Sequence, residues 1–431
     1  MTSKACCAML GDNSSISSIL DKHVDVAGAS IAFMVNYDVS TLTAGYARIS
    51  TDEKMSPSHY LECASLSKTV AAAFAIEYFR GRGISMQSSV NELLRQAGAT
   101  WTIKAPLGAN AIKHNINSDW PDKVTLAMLV NHTALGMHYV YGLPLSYGMP
   151  KPEAFLNGSL EHDFGYAPLF LERKPGESFK YSGGGFIVLQ YLIETLEGKV
   201  IHDVMRPFLI RCDMRDFSFQ PLLPDGTPVA YGHFTRDDEV AQHDGGRLAF
   251  PALAAGGLCT PTALLNFLGH LARAYRAYED GVQGYAGPIA PETARLMLDD
   301  SSLLDLGSME FMRSRIGLGV FVARAGKNRI MLHQAANEGF RGVYFVCFSG
   351  PDRGKGFVLL CNGDNPAVVF QSEVSRHLLG STGLSITGID FSKVRNFNMQ
   401  GLKQEEIVNL GLKELVLAGF LDDSKSAHSK L

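Results

Sequence analysis

Ser65 stands three residues before Lys68 in the stretch SLSKT (65–69), and an apolar run, VAAAFAIEYF, continues from it. Residues at i and i+3 share a helix face, so the two side chains can touch. A serine hydroxyl is a poor nucleophile until something takes its proton. A lysine amine can help once burial has depressed its pKa, and the apolar run supplies burial. The head of a helix adds free backbone N–H groups and a positive dipole end, both favourable to a developing oxyanion. The competing reading is ordinary. Serine is a common helix N-cap, and Ser-x-x-Lys is short enough to arise by chance. Taken alone, the pair leaves nucleophile and cap both open.

The elements that must carry such a pair are readable in outline. SSISSILDKHV (14–24) reads as a short helix, and GASIAFMVNY (28–37) and TLTAGYA (41–47) as strands joined by a turn at Asp38 to Ser40. A helix is expected from Leu66 to Arg80, stopping at GRG. The middle of the chain is loop-rich and helix-biased. Strands return at GLGVFVAR (317–324), RIMLHQ (329–334), GVYFVCFS (342–349) and GFVLLCN (356–362), and a helix follows over about 366–379. Strands at both ends with helices between predict an α+β fold. Residues 1–90 and 300–380 would form the sheet region and 91–299 a helix-rich region. Residues 381–431 would form an extension with one helix and a polar tail.

Other stretches bear on the pair. Tyr181 sits in PGESFKYSGGGFIVLQYLIETLEGK (175–199), just before Gly183, Gly184 and Gly185. His333 lies in LHQAANEGF (332–340), near the end of an expected strand. VTLAMLVNHTALGM (124–137) and AAGGLCTPTALLNFL (254–268) stand between them.

Taken in order, these motifs resemble the serine beta-lactamase-related family, which holds class C beta-lactamases, DD-peptidases, esterases and acyltransferases. The likeness runs from about residue 20 to 380. It implies a beta-lactamase/transpeptidase-like fold, an antiparallel sheet flanked by helices plus a helical region. It implies that Ser65 attacks a carbonyl and forms an acyl-enzyme, that Lys68 eases its deprotonation, and that Tyr181 acts as general base. His333 would tune Tyr181 or bind substrate, and the backbone N–H groups of Ser65 and Ala336 would form the oxyanion hole. No metal or organic cofactor is implied.

Two positions depart from the family pattern. Gly183 stands where the family has an asparagine, so the amide that clamps amide-bearing substrates is absent. Ala335 ends the strand motif His333-Gln334-Ala335 where the family has glycine, placing a methyl group near the substrate. Both departures point away from beta-lactams and toward an esterase-like or acyl-transferring member.

Composition narrows the partners. The chain has 431 residues, 46% of them hydrophobic, and 39 basic against 43 acidic residues for a net charge of -4. Without a basic run, nucleic acid is not an expected partner. Without an apolar run of spanning length, membrane insertion is not expected. The start, MTSKACCAMLGD, makes a poor secretory signal. Cys6, Cys7, Cys63, Cys212, Cys259, Cys347 and Cys361 are scattered without zinc-ligand spacing and read as reduced thiols. No His-Glu-x-x-His, phosphate loop or Gly-x-Ser-x-Gly elbow occurs. His132 reads as a structural loop residue and His270 as a helix-face residue.

Ser429-Lys430-Leu431 has the form of a peroxisomal address. It predicts an import receptor as partner and a peroxisome or related microbody as location, with the cytoplasm otherwise. The expected activity is a serine hydrolase on a small acyl ester or amide. Acyl transfer to an alcohol or amine, and a non-catalytic binding protein on the same fold, are the alternatives.

Overall fold

The computed structural model describes residues 13–106, 116–136, 140–235, 238–239, 247–308, 314–364 and 367–381. The expected extension, from 382 onward, and its terminal Ser429-Lys430-Leu431 lie outside the described residues, as do Cys6 and Cys7.

Strands β1 (Gly28–Val35), β2 (Asp38–Arg48) and β3 (Glu53–Lys54) come from the N-terminal part of the chain. Strands β4 (Arg315–Ile316), β5 (Phe321–Ala325), β6 (Asn328–Asn337), β7 (Phe340–Ser349) and β8 (Gly356–Cys361) come from the C-terminal part. They form one eight-stranded sheet in the order β4-β5-β6-β7-β8-β1-β2-β3. Every pairing is antiparallel, and β1 against β8 joins the two ends, with Ala29 opposite Cys361. Strands β7 and β8 are buried along their whole length. That burial on both faces explains why their sequences are near-continuous apolar runs without alternation.

Helices α1 (Asn13–Leu20), α2 (Ser67–Arg80), α3 (Gly183–Glu197), α4 (Pro261–Glu279) and α5 (Ala367–Ser381) cover the sheet. Ile16 and Leu20 of α1 and Phe370 and Val374 of α5 share one core with Ile31, Phe345 and Leu359. Residues of α2, α3 and α4 share the other core with Met34, Val346 and Leu360.

Several boundaries differ from the sequence reading, α1 among them, which ends at Leu20 and not at 24. The β1–β2 turn falls on Asn36 and Tyr37, at φ 51° and 69°, not on Asp38 to Ser40. A two-residue hairpin loop needs positive φ at both central positions, and its twist suits the flanking strands, so pairing resumes at once with Val35 opposite Asp38. Strand β5 begins at Phe321, four residues later than expected, because Gly317 N–H bonds the Val320 carbonyl and makes a turn. Within that turn Gly319 has φ 73°, and a Cβ there would lie 2.3 Å from the Ala72 Cβ. Only glycine lets α2 come this close. Strand β6 continues past Gln334 to Asn337, where Glu338 and Gly339 turn the chain into β7.

Candidate active site

Ser65 lies in a 3-10 turn, Ala64–Leu66, directly ahead of α2, where the sequence reading had placed it on the helix itself. Neither the turn nor α2 begins with a side-chain capping bond, so Ser65 is not an N-cap. Ala64 is held at φ 43°, a left-handed conformation that costs a non-glycine residue about 1 kcal/mol or more. Its neighbours hold it there. Cys63 N–H donates to the Gly257 carbonyl at 2.9 Å, and Gly257 N–H returns a bond to Ser67 Oγ at 3.0 Å. From Leu61 to Ile76, Ser65 alone is not fully buried.

Lys68 is 1% exposed, and its Nζ lies 3.1 Å from Ser65 Oγ. It also donates to the Ala254 carbonyl at 2.5 Å. Burial without a carboxylate partner pushes its pKa down to about 7. Near neutral pH a large share of the amine is therefore unprotonated. With one N–H engaged by Ala254, its lone pair can accept the Ser65 proton.

Tyr181 is buried, its ring centre 4.9 Å from Lys68 Nζ and 6.0 Å from the His333 ring. The residues around it fix its place. Ser182 caps α3 by accepting from Gly185 N–H at 3.2 Å, and its own N–H donates to His132 Nδ1 at 3.0 Å. The His132 ring packs on Tyr181 with centroids 4.4 Å apart. His132 is thus a loop residue in a structural role, directed at the Tyr181 phenol. Gly183 opens α3 two residues after Tyr181 and brings no side chain to the site. Gly185 lies so close to the segment Leu126–Val130 that a Cβ would sit 2.5 Å from the Leu129 carbonyl oxygen.

His333 is 2% exposed and stands mid-strand in β6. Its Nδ1 donates to the Gln334 carbonyl at 2.7 Å, which leaves Nε2 as the acceptor nitrogen. That buried Nε2 has no hydrogen-bond partner among the described residues. Burial first, and the nearby Lys68 second, push its pKa down to about 3, so the ring is neutral. Its part is that of a neutral acceptor beside Lys68 and Tyr181.

The register of β6 places Ala336. Two-residue turns close both its hairpins, pairing Ala325 with Asn328 and Asn337 with Phe340. Such turns close on a doubly hydrogen-bonded pair, and pairs then alternate along the ladder. Even-numbered residues of β6 therefore aim their backbone groups at β5, odd-numbered ones at β7. Strand β5 stops pairing at Leu332. Among the described residues, Gln334 and Ala336 thus present their backbone N–H groups to the unpaired edge of a strand that packs against the Ser65 turn, the Gln334 carbonyl accepting from His333. Ala335 points the other way, into the core shared with α2.

One pair was missed from the sequence. Glu62, fully buried, accepts a bond from Asn337 Nδ2 at 2.7 Å, and Asn337 also donates to the Ala255 carbonyl at 3.2 Å. Burial pushes the Glu62 carboxyl up to about 7, against the lowering effect of Asn337. An acid in the otherwise apolar LECA was the available signal. Tyr141 and Tyr147, in the aromatic stretch before residue 150, pack on Tyr166 and Phe164 and stay half exposed. Among the described residues no group of three or more His, Cys, Asp or Glu could hold a metal ion, and no helix is long and apolar enough to cross a membrane.

The sequence matches the Beta-lactamase family over residues 16–380. No curated protein matches it. Among solved structures, it is similar to a D-amino acid amidase from Ochrobactrum anthropi, at 19% identity and TM-score 0.60, over 86% of this chain and 99% of that one. It is similar to a beta-lactamase/D-alanine carboxypeptidase from Pseudomonas syringae, at 15% identity and TM-score 0.60, over 87% and 99%. A penicillin-binding protein homologue from Pyrococcus abyssi aligns at 17% identity and TM-score 0.58, over 86% and 78%.

Proposed function

This chain belongs to the beta-lactamase family, and from that premise we propose that it forms an acyl-enzyme on Ser65 and hydrolyses a small acyl ester. The family and the fold are those of serine hydrolases. The observation that carries the reading is the Lys68 to Ser65 hydrogen bond of 3.1 Å, made by a lysine whose pKa burial holds at about 7. In the proposed reaction Lys68 takes the Ser65 proton as Oγ attacks the ester carbonyl. The oxyanion is held by the N–H groups of Ser65 and Ala336. Tyr181, packed against Lys68, relays the proton to the leaving alcohol, and water then cleaves the acyl-enzyme.

An ester is favoured over an amide because Gly183 brings no amide to clamp a substrate N–H or C=O. The Ochrobactrum relative is an amidase crystallised with L-phenylalanine amide, so amino-acid amides belong in the test. Intact mass measurement after incubation with aryl esters, amino-acid amides and beta-lactams tests the proposal, with Ser65→Ala as control. An ester adduct at Ser65 that water clears supports it. Labelling that survives Ser65→Ala sinks it, and turnover that requires an alcohol or amine acceptor replaces it with acyl transfer. We further propose that Ser429-Lys430-Leu431 engage a peroxisomal import receptor. A reporter fused ahead of this tail should enter peroxisomes and lose that location when Leu431 is deleted.

A further inference from the structure

A cavity of about 610 Å³ lies at the opposite end of the sheet from Ser65. The register fixes its distance. Ala336 is opposite Arg341, Arg341 opposite Cys361, and Cys361 opposite Ala29. Tyr37, in the cavity wall, is eight residues further along from Ala29, a span of about 25 Å at strand rise. The cavity is therefore not the acyl pocket.

Arg273 of α4 lines it, with its guanidinium 4.5 Å from the centre of the Tyr37 ring. Among the described residues Arg273 makes no ion pair and no hydrogen bond. The charges around it are already engaged. Arg276 pairs with Asp280 at 3.2 Å and Arg353 with Glu279 at 3.3 Å. Asp213, the acid in the wall, pairs with His270 at 2.7 Å. The Tyr37 hydroxyl is buried with no hydrogen-bond partner among the described residues, on a residue held at φ 69°. A half-buried cation without a counter-ion and a buried hydroxyl without an acceptor share one cavity. Native interiors rarely leave either in that state.

We propose that this cavity binds a small organic carboxylate. The planar guanidinium fork of Arg273 matches a carboxylate, and the Tyr37 hydroxyl donates a further bond to it. Val39, Tyr285 and Pro288, all only partly buried, receive the hydrocarbon part. A phosphate dianion fits less well. It would find a single unpaired cation to set against two negative charges, with the Asp213 carboxylate close by. The volume lies in the range of small-molecule sites.

The test is calorimetric titration of the full chain with hexanoate, benzoate and inorganic phosphate. Saturable binding of hexanoate or benzoate is expected, unchanged in Ser65→Ala and in protein whose Ser65 has been blocked by a fluorophosphonate. Arg273→Gln should weaken it by about tenfold or more. Arg273→Lys, which keeps the charge, and Tyr37→Phe should each weaken it by less, all with melting curves close to the parent. No binding of either acid up to roughly 20 mM, affinity unchanged in Arg273→Gln, phosphate binding as tightly as the carboxylates, or loss of binding on blocking Ser65 would each overturn the proposal.

Discussion

Asn337 donates a hydrogen bond to Glu62 at 2.7 Å and so ties the end of β6 to the residue three places before Ser65. The second bond of the same amide goes to the Ala255 carbonyl, next to the Ala254 carbonyl that holds Lys68. The end of β6, the Ser65 turn and Lys68 are thus hung on one short segment. Glu62 is raised to about 7, so its stabilising effect is whole below its unfolded pKa and is lost as pH rises through about 7. A shift from about 4.5 to about 7 corresponds to roughly 3 kcal/mol. Glu62→Gln keeps an acceptor for Asn337 and does not ionise. Melting curves at pH 5 and pH 8 should therefore show a drop in the parent that is mostly absent in the variant. Equal drops in both would refute the assignment.

The pH dependence of turnover should report Lys68. Its pKa of about 7 puts the unprotonated amine in the minority below neutrality. With ester substrate, kcat/KM should fall about tenfold per pH unit below 7. His333→Gln should leave that limb in place, because His333 is held near 3 and does not titrate there. Glu62→Gln should leave it too. A limb that moved with Glu62→Gln would assign it to the wrong residue.

Lys68→Met should cost at least about 10³ in turnover, yet stabilise the fold near pH 6. Lowering the folded pKa from 10.5 to about 7 means that the unfolded chain binds the extra proton between those values. The cost of the lysine is full below pH 7, about 5 kcal/mol, and gone above 10.5. Leaving the Ala254 carbonyl unpaired costs roughly 1–3 kcal/mol at every pH. Chemical denaturation should find the variant more stable at pH 6 and less stable near pH 10.

Tyr181→Phe keeps the ring packed against His132 and removes only the hydroxyl. Its melting temperature should match the parent while ester turnover falls by about 10²–10⁴. Turnover within a factor of about two of the parent would exclude the phenol from proton transfer.

Gly319→Ala should be destabilising by about 2–4 kcal/mol in urea. The new methyl would meet the Ala72 Cβ at 2.3 Å and the Lys68 carbonyl oxygen at 3.0 Å, from a residue at φ 73°. Because the collision falls on the turn of α2 that carries Lys68, activity of the folded fraction should drop as well.

Local rules made part of this legible. Ser65 and Lys68 touch because they stand three positions apart across the 3-10 turn and the first residues of α2. Strands β7 and β8 were readable because burial on both faces demands unbroken apolar runs. Elsewhere local rules came within one residue and left the geometry at Ser65 open. The helix seemed to start at Leu66, but Gly257, 190 residues beyond Ser67, bonds both Cys63 and Ser67 and holds Ser65 in a separate turn.

The sequence by itself determined the contact of Ser65 with Lys68, the two-ended sheet and, through the order of its motifs, the family. These depend on spacing along the chain and on periodic burial, which the order of residues encodes directly. Only the tertiary structure decided that Lys68 lies dry enough to be half neutral at pH 7, that His132 packs on Tyr181, and that Glu62 meets Asn337 across 275 positions. Those properties come from desolvation and from contacts between distant segments. Neither exists until the chain has closed around the site.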